Sequence, residues 1–130
     1  MWVPKTLMFA GRCQARSVLT LVSQRITRPF RLSMATIRFP NGTQNLVTIR
    51  LYQAEDDQAP TTGRPSGVSL LQDFGQVDYL RGDGVQVTVL HTIDVTPAGA
   101  YLKVHADNSD WYDHMVDVDL QILVEDESTE

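Results

Sequence analysis

The ten residues "HADNSDWYDH", 105–114, hold two histidines and three aspartates. Imidazoles and carboxylates at that density suit two chemistries, metal binding and proton transfer. Asp107, Asn108, Asp110 and Asp113 offer closely spaced oxygens of the kind calcium accepts from a loop. The EF-hand pattern is not met, because it lacks its central glycine and its closing glutamate. Zinc fits less well: His105 and His114 stand at the two ends of the segment, with no third ligand at a short spacing. The simpler reading is a connector between strands. Its Asx side chains would cap their own backbone, and Trp111 and Tyr112 would pack on a sheet edge or a partner. The segment is therefore read as a connector first and a weak calcium site second, with no other cofactor expected.

The remaining reactive side chains are scattered. His91 falls on the apolar face of "VQVTVLHTIDV" (85–95) and is read as a core histidine with one good hydrogen bond. Asp94 and Asp119 are expected to flank Tyr101 on a polar sheet face, roughly 9–10 Å apart by strand spacing. Inverting glycosidases use a similar separation, but no aromatic sugar platform accompanies this pair. "RGD" (81–83) falls in an expected turn, and "NGT" (41–43) is a glycosylation sequon that matters only in a secreted chain. There is no glycine-rich phosphate loop, no G-x-S-x-G elbow and no H-E-x-x-H. The single cysteine, Cys13, excludes an internal disulfide and a multi-cysteine zinc site. No catalytic constellation emerges, and the balance lies with a non-enzymatic protein.

Charge divides the chain. Residues 1–33 carry Lys5, Arg12, Arg16, Arg25, Arg28 and Arg31 and no acid, a sum of +6. The remaining five cations stand against all 16 acids, so residues 34–130 sum to −11. At a helical period Ala15, Val18, Leu19, Val22 and Ile26 share one face of the leader, opposite Arg12, Arg16, Arg28 and Arg31. Such a segment resembles a mitochondrial presequence, with Arg31 two residues before Ser33 as a processing signal. It reads equally as a basic arm, helical or extended, that docks on an assembly. A third reading is a start-site artefact, because strand-like sequence begins with Met34. The −11 body disfavours nucleic acid as a partner of the β domain. No apolar run reaches the ~20 residues of a membrane-spanning helix.

From residue 34 the period is two. "NLVTIRLYQ" (45–53) alternates Val47, Ile49 and Leu51 with Thr48, Arg50 and Tyr52. A proline- and glycine-containing loop follows over 54–67, then short strands over 68–71 and 75–80. Asp83-Gly84 suits a hairpin turn. Strands over 85–95, 100–105 and 115–125 are expected to form a meander that pairs Ile93 with Leu102, Leu102 with Val118, and Lys103 with Asp117.

Some seven short strands between turn signals predict an all-β fold, a small antiparallel β-sandwich or jelly roll, with a basic arm at 1–33, the sandwich at 34–125 and an acidic tail at 126–130. The function expected first is structural, a virion accessory or capsid-decorating subunit that forms a homo-oligomer or larger assembly. Arg12, Arg16, Arg25, Arg28, Arg31, Trp111 and Tyr112 would contact the protein partners. The alternatives are a mitochondrial matrix protein with a cleaved presequence, and a calcium- or carbohydrate-binding module. Virion or cytoplasm is the expected location, or the mitochondrial matrix if the leader is a presequence.

Overall fold

A computed structural model describes residues 2–60, 63–71, 79–90 and 96–125. Among these there is no helix, and thus none long and apolar enough to cross a membrane. Nine strands follow in order: β1 (Trp2–Cys13), β2 (Ser17–Val22), β3 (Phe30–Phe39), β4 (Val47–Ala54), β5 (Val68–Ser69), β6 (Leu80–Arg81), β7 (Val85–Leu90), β8 (Tyr101–Asn108) and β9 (His114–Glu125). They form two antiparallel sheets. The first runs β1-β9-β3-β7; the second runs β2-β8-β4-β5, with β6 also paired to β4. The chain changes sheet at nearly every connection, which is the jelly-roll arrangement. The expected fold class is therefore what the chain adopts.

The core lies between the sheets. Phe9, Phe30, Leu32, Ile37, Val118, Leu120 and Ile122 of the first sheet meet Ile49, Leu51, Leu102 and Val104 of the second. Each set follows the period of two along its strand, because successive side chains point to opposite faces.

The first 33 residues are not an appended arm. β1 pairs with β9 from Trp2↔Glu125 to Cys13↔His114, and β2 pairs with β8 from Ser17↔Asn108 to Val22↔Lys103. The helical face expected over 15–26 is replaced by strand β2, whose pairing with β8 supplies a ladder that a lone amphipathic segment lacks. The boundary expected between Ser33 and Met34 falls inside β3, on a bulge where the register against β9 shifts. Before the bulge Phe30 and Leu32 point inward; after it Ala35, Ile37 and Phe39 do. Ser33 Oγ, at the bulge, donates to Gln121 O at 2.9 Å. Removal of residues 1–33 would take away the edge strand of both sheets.

The expected meander also fails. β7 pairs with β3, β8 pairs with β2 and β4, and β9 pairs with β1 and β3. Leu102 and Val118 thus enter the core from different sheets instead of lying side by side. Lys103 is held by Asp56 at 2.8 Å, while Asp117 meets Arg38 at 3.2 Å. Tyr101 and Asp119 lie in different sheets. His91, Asp94, Ile93, the tail 126–130 and most of the strand expected over 75–80 lie outside the described residues.

The turns lock to one another. Asp83-Gly84 links two sheets rather than a hairpin, with Gly84 at φ +61°, a region where a β-carbon is costly. Asp83 Oδ1 accepts from Gly42 N at 2.8 Å, and Thr43 Oγ1 donates to Gly82 O at 2.6 Å.

Candidate functional site

One corner of the sandwich joins the 14–16 turn, which links β1 to β2, to the 109–113 loop, which links β8 to β9. Asn108, buried at the end of β8, organises it. Its Nδ2 donates to Tyr112 O (2.8 Å), Cys13 O (3.2 Å) and Gln14 O (3.3 Å), and its Oδ1 accepts from Asp110 N at 3.0 Å. Asp110 Oδ1 accepts from Trp111 N at 2.7 Å, and its Oδ2 lies 2.8 Å from His114 Nε2. That imidazole contact is the main reason the Asp110 carboxyl sits below its ordinary pKa.

The facing turn is tied in as tightly. Asp113 Oδ1 accepts from Ala15 N at 2.8 Å, and its Oδ2 lies 3.7 Å from Arg12 Nε. Arg16 N donates to Asp110 O at 3.0 Å, and a guanidinium nitrogen donates to Ser109 O at 3.0 Å. Arg16 has φ +57°, uncommon for a residue with a side chain, and these bonds hold it there.

This frame presents aromatic surface. Trp111 is 76% exposed and Tyr112 74%, with Met115 54% exposed beside them at the start of β9. The Arg16 guanidinium stacks 4.7 Å above the Trp111 ring. Trp, Tyr, Met and Arg are the residue types enriched at protein–protein interfaces.

Four of the seven expected partner-binding residues, Arg12, Arg16, Trp111 and Tyr112, therefore meet at one corner. The other three do not join them. Arg25 lies over the turn at Gly99, Arg28 sits in the connector that follows β2, and Arg31 stacks on Trp2 at 4.7 Å. Among the expected calcium ligands, the side chains of Asn108, Asp110 and Asp113 bond within the corner, and Asp107 stands on β8 opposite Thr48. Among the described residues no group of three or more His, Cys, Asp or Glu gathers as a metal site. His105 and His114 are parted: His105 Nδ1 lies 2.9 Å from Thr20 Oγ1 on the outer face of the second sheet.

That outer face is a polar layer the sequence pattern did not mark. Arg50, Lys103 and His105 are all buried there. The loop after β4 fastens over Lys103, whose Nζ donates to Asp56 Oδ1 (2.8 Å) and Ser66 Oγ (3.1 Å), while the Arg50 guanidinium lies 5.8 Å from the Tyr79 ring centre. Lys103 and Ser66, both hydrogen-bonded to this carboxylate, fix the Asp56 pKa at about 2. Burial, then the charge of Arg50, lowers His105 below its usual range. The arrangement fastens a loop; Lys103, donating to both neighbours, is not placed as a base for Ser66. Cys13 is no nucleophile either, since burial raises its thiol to about 11.

No family model matches the sequence, and no curated protein resembles it. The fold resembles a protein of Bacillus endospore appendages, described as a novel family of disulfide-linked pili, with a TM-score of 0.51 and 10% identity over 95% of this chain and 87% of that one. A Yersinia pseudotuberculosis-derived mitogen gives 0.47 and 8% identity over 98% and 92% of the two chains. A decameric BFDV capsid protein gives 0.45 and 8% over 97% and 99%. At such identities likeness speaks to fold, and function must be argued from the site.

Proposed function

We propose that this protein is a non-enzymatic structural subunit that assembles with further copies of itself through the corner formed by residues 12–16 and 109–115. A virion accessory or capsid-decorating subunit is the specific form this reading takes. The observation that carries it is the pair Trp111 and Tyr112, each about three-quarters exposed on a loop that hydrogen bonds hold rigid. Exposed aromatics on a preorganised frame lose little conformational freedom on docking, so more of their burial appears as affinity. The appendage protein with the same fold is described as forming pili. That precedent agrees with an assembly role but does not carry it.

The test is native mass and sedimentation of the full chain over a concentration series, beside the double variant Trp111→Ala/Tyr112→Ala. The wild type is expected to form a defined multimer and the variant to be monomeric. Its stability should change by no more than about 0.5 kcal/mol, as for surface substitutions in general. A wild type that stays monomeric, or a variant that assembles as well, would overturn the proposal.

A further inference from the structure

The corner is cationic as well as aromatic. The Arg12 side chain is 70% exposed, and its contact with Asp113 is long at 3.7 Å. Arg16 covers the Trp111 ring at 4.7 Å, yet Trp111 stays 76% exposed. The carboxylates of the 109–113 loop are already committed, Asp110 to Trp111 N and His114, Asp113 to Ala15 N. Such a surface suits a short acidic segment, because a guanidinium fork matches the two oxygens of a carboxylate.

The chain carries such a segment beyond the far end of β9. Asp126, Glu127 and Glu130 follow the strand with no cation among them. β9 starts at the corner, where His114 pairs with Cys13, and ends where Glu125 pairs with Trp2. Its 12 residues span roughly 36 Å from first to last at ~3.3 Å per step. Residues 126–130 reach at most roughly 18 Å, at ~3.6 Å per residue. The acidic segment of one chain therefore stops short of that chain's own corner and can meet only the corner of another copy. Its near surroundings offer less: Trp2 is half-buried with Arg31 over its ring, and Arg28 already has a partner.

We infer, building on the assembly reading above, that residues 126–130 of one copy dock on Arg12, Arg16, Trp111 and Tyr112 of the next. Corner and acidic segment lie at opposite ends of the β1–β9 ladder, so the contact is head-to-tail. Repeated from copy to copy, it gives a ring if the rotation closes and a filament if it does not.

Two variants split the contact into its halves. Asp126→Lys/Glu127→Lys/Glu130→Lys keeps the corner, and Trp111→Ala/Tyr112→Ala keeps the acidic segment. In sedimentation at low salt each alone should be monomeric at concentrations where the wild type assembles. Their equimolar mixture should form a one-to-one dimer, because one intact corner meets one intact segment and growth stops there. Raising NaCl about tenfold, from about 50 mM, should weaken that dimer about fivefold or more. A charge-reversed variant that assembles like the wild type, a mixture that stays monomeric, or a dimer indifferent to salt would each overturn the inference, and the corner would remain an interface for some other surface. A wild type that never assembles would instead remove the corner reading, and this inference with it.

Discussion

The two sheets present outer faces built by opposite rules. On the first sheet the outer face is open, and Arg38 bridges Asp117 (3.2 Å) and Asp119 (2.8 Å) in contact with solvent. On the second sheet Arg50, Lys103 and His105 occupy equivalent positions on the pleat and are buried, Lys103 beneath the loop after β4. Both sets come from the same polar–apolar alternation. The pleat decides which residues point away from the core; it does not decide whether water or protein meets them there. A charge on the open face interacts through high dielectric, whereas the buried Lys103 has given up its water and depends on Asp56.

The largest expected effect comes from removing what both sheets share, the first 33 residues. A chain starting at Met34 loses Phe9, Ile26, Phe30 and Leu32 from the core along with β1 and β2. At about 1.5–3 kcal/mol per fully buried large apolar side chain, four such losses amount to roughly 6–12 kcal/mol. The total stability of a domain is only about 5–15 kcal/mol. The shortened chain should therefore lack a cooperative unfolding transition in circular dichroism. A cooperatively folded product would overturn the integration of this segment and return it to the status of a leader.

Next come three substitutions, two at the covered face and one at the open face. Asp56→Asn leaves the Lys103 ammonium buried without its counter-charge, which should lower the urea midpoint markedly. Lys103→Met should cost less, because it leaves only Asp56, which is partly exposed and can be hydrated. Arg38→Gln on the open face should shift the midpoint least of the three, and added salt should erase the shift. Equal losses for Asp56→Asn and Arg38→Gln would mean that the two faces do not differ in the way their burial indicates.

The same contrast separates what was legible in the sequence from what was not. β4 could be read directly, since Val47, Ile49 and Leu51 alternate with polar partners. β1 hides its period, because Met8 and Ala10 put apolar residues on the solvent side of Leu7 and Phe9. In β2 the run Val18-Leu19-Thr20-Leu21-Val22 fits a helix as readily as a strand. β3 reverses its inward parity at the Ser33 bulge, which broke the pattern where a boundary was expected. The meander failed for a more general reason: apolar-on-apolar register fits equally well whether two strands lie side by side or face each other across a core. At the corner, Trp111 and Tyr112 could be singled out by type. Their union with Arg12 and Arg16 depends on β1 pairing with β9, which alternation does not encode.

The smallest effect, and the one most specific to the covered face, is a dependence on pH. Burial and the nearby Arg50 charge depress the His105 pKa, so the folded chain resists protonation there while the unfolded chain accepts a proton near 6.5. Above 6.5 both states are neutral at this site and its contribution is complete. As pH falls below 6.5 the unfolded state binds the proton first, so stability declines until the folded imidazole also titrates. Asp56 acts later and in the usual carboxylate sense. Its contribution is present above the ordinary value of 3.8 and is lost as pH falls through about 2. The urea midpoint should therefore fall in two stages on acidification, and His105→Gln should flatten only the first. The difference between the two curves is the contribution of His105. Superimposable curves would mean that His105 meets water as freely as the charges on the open face.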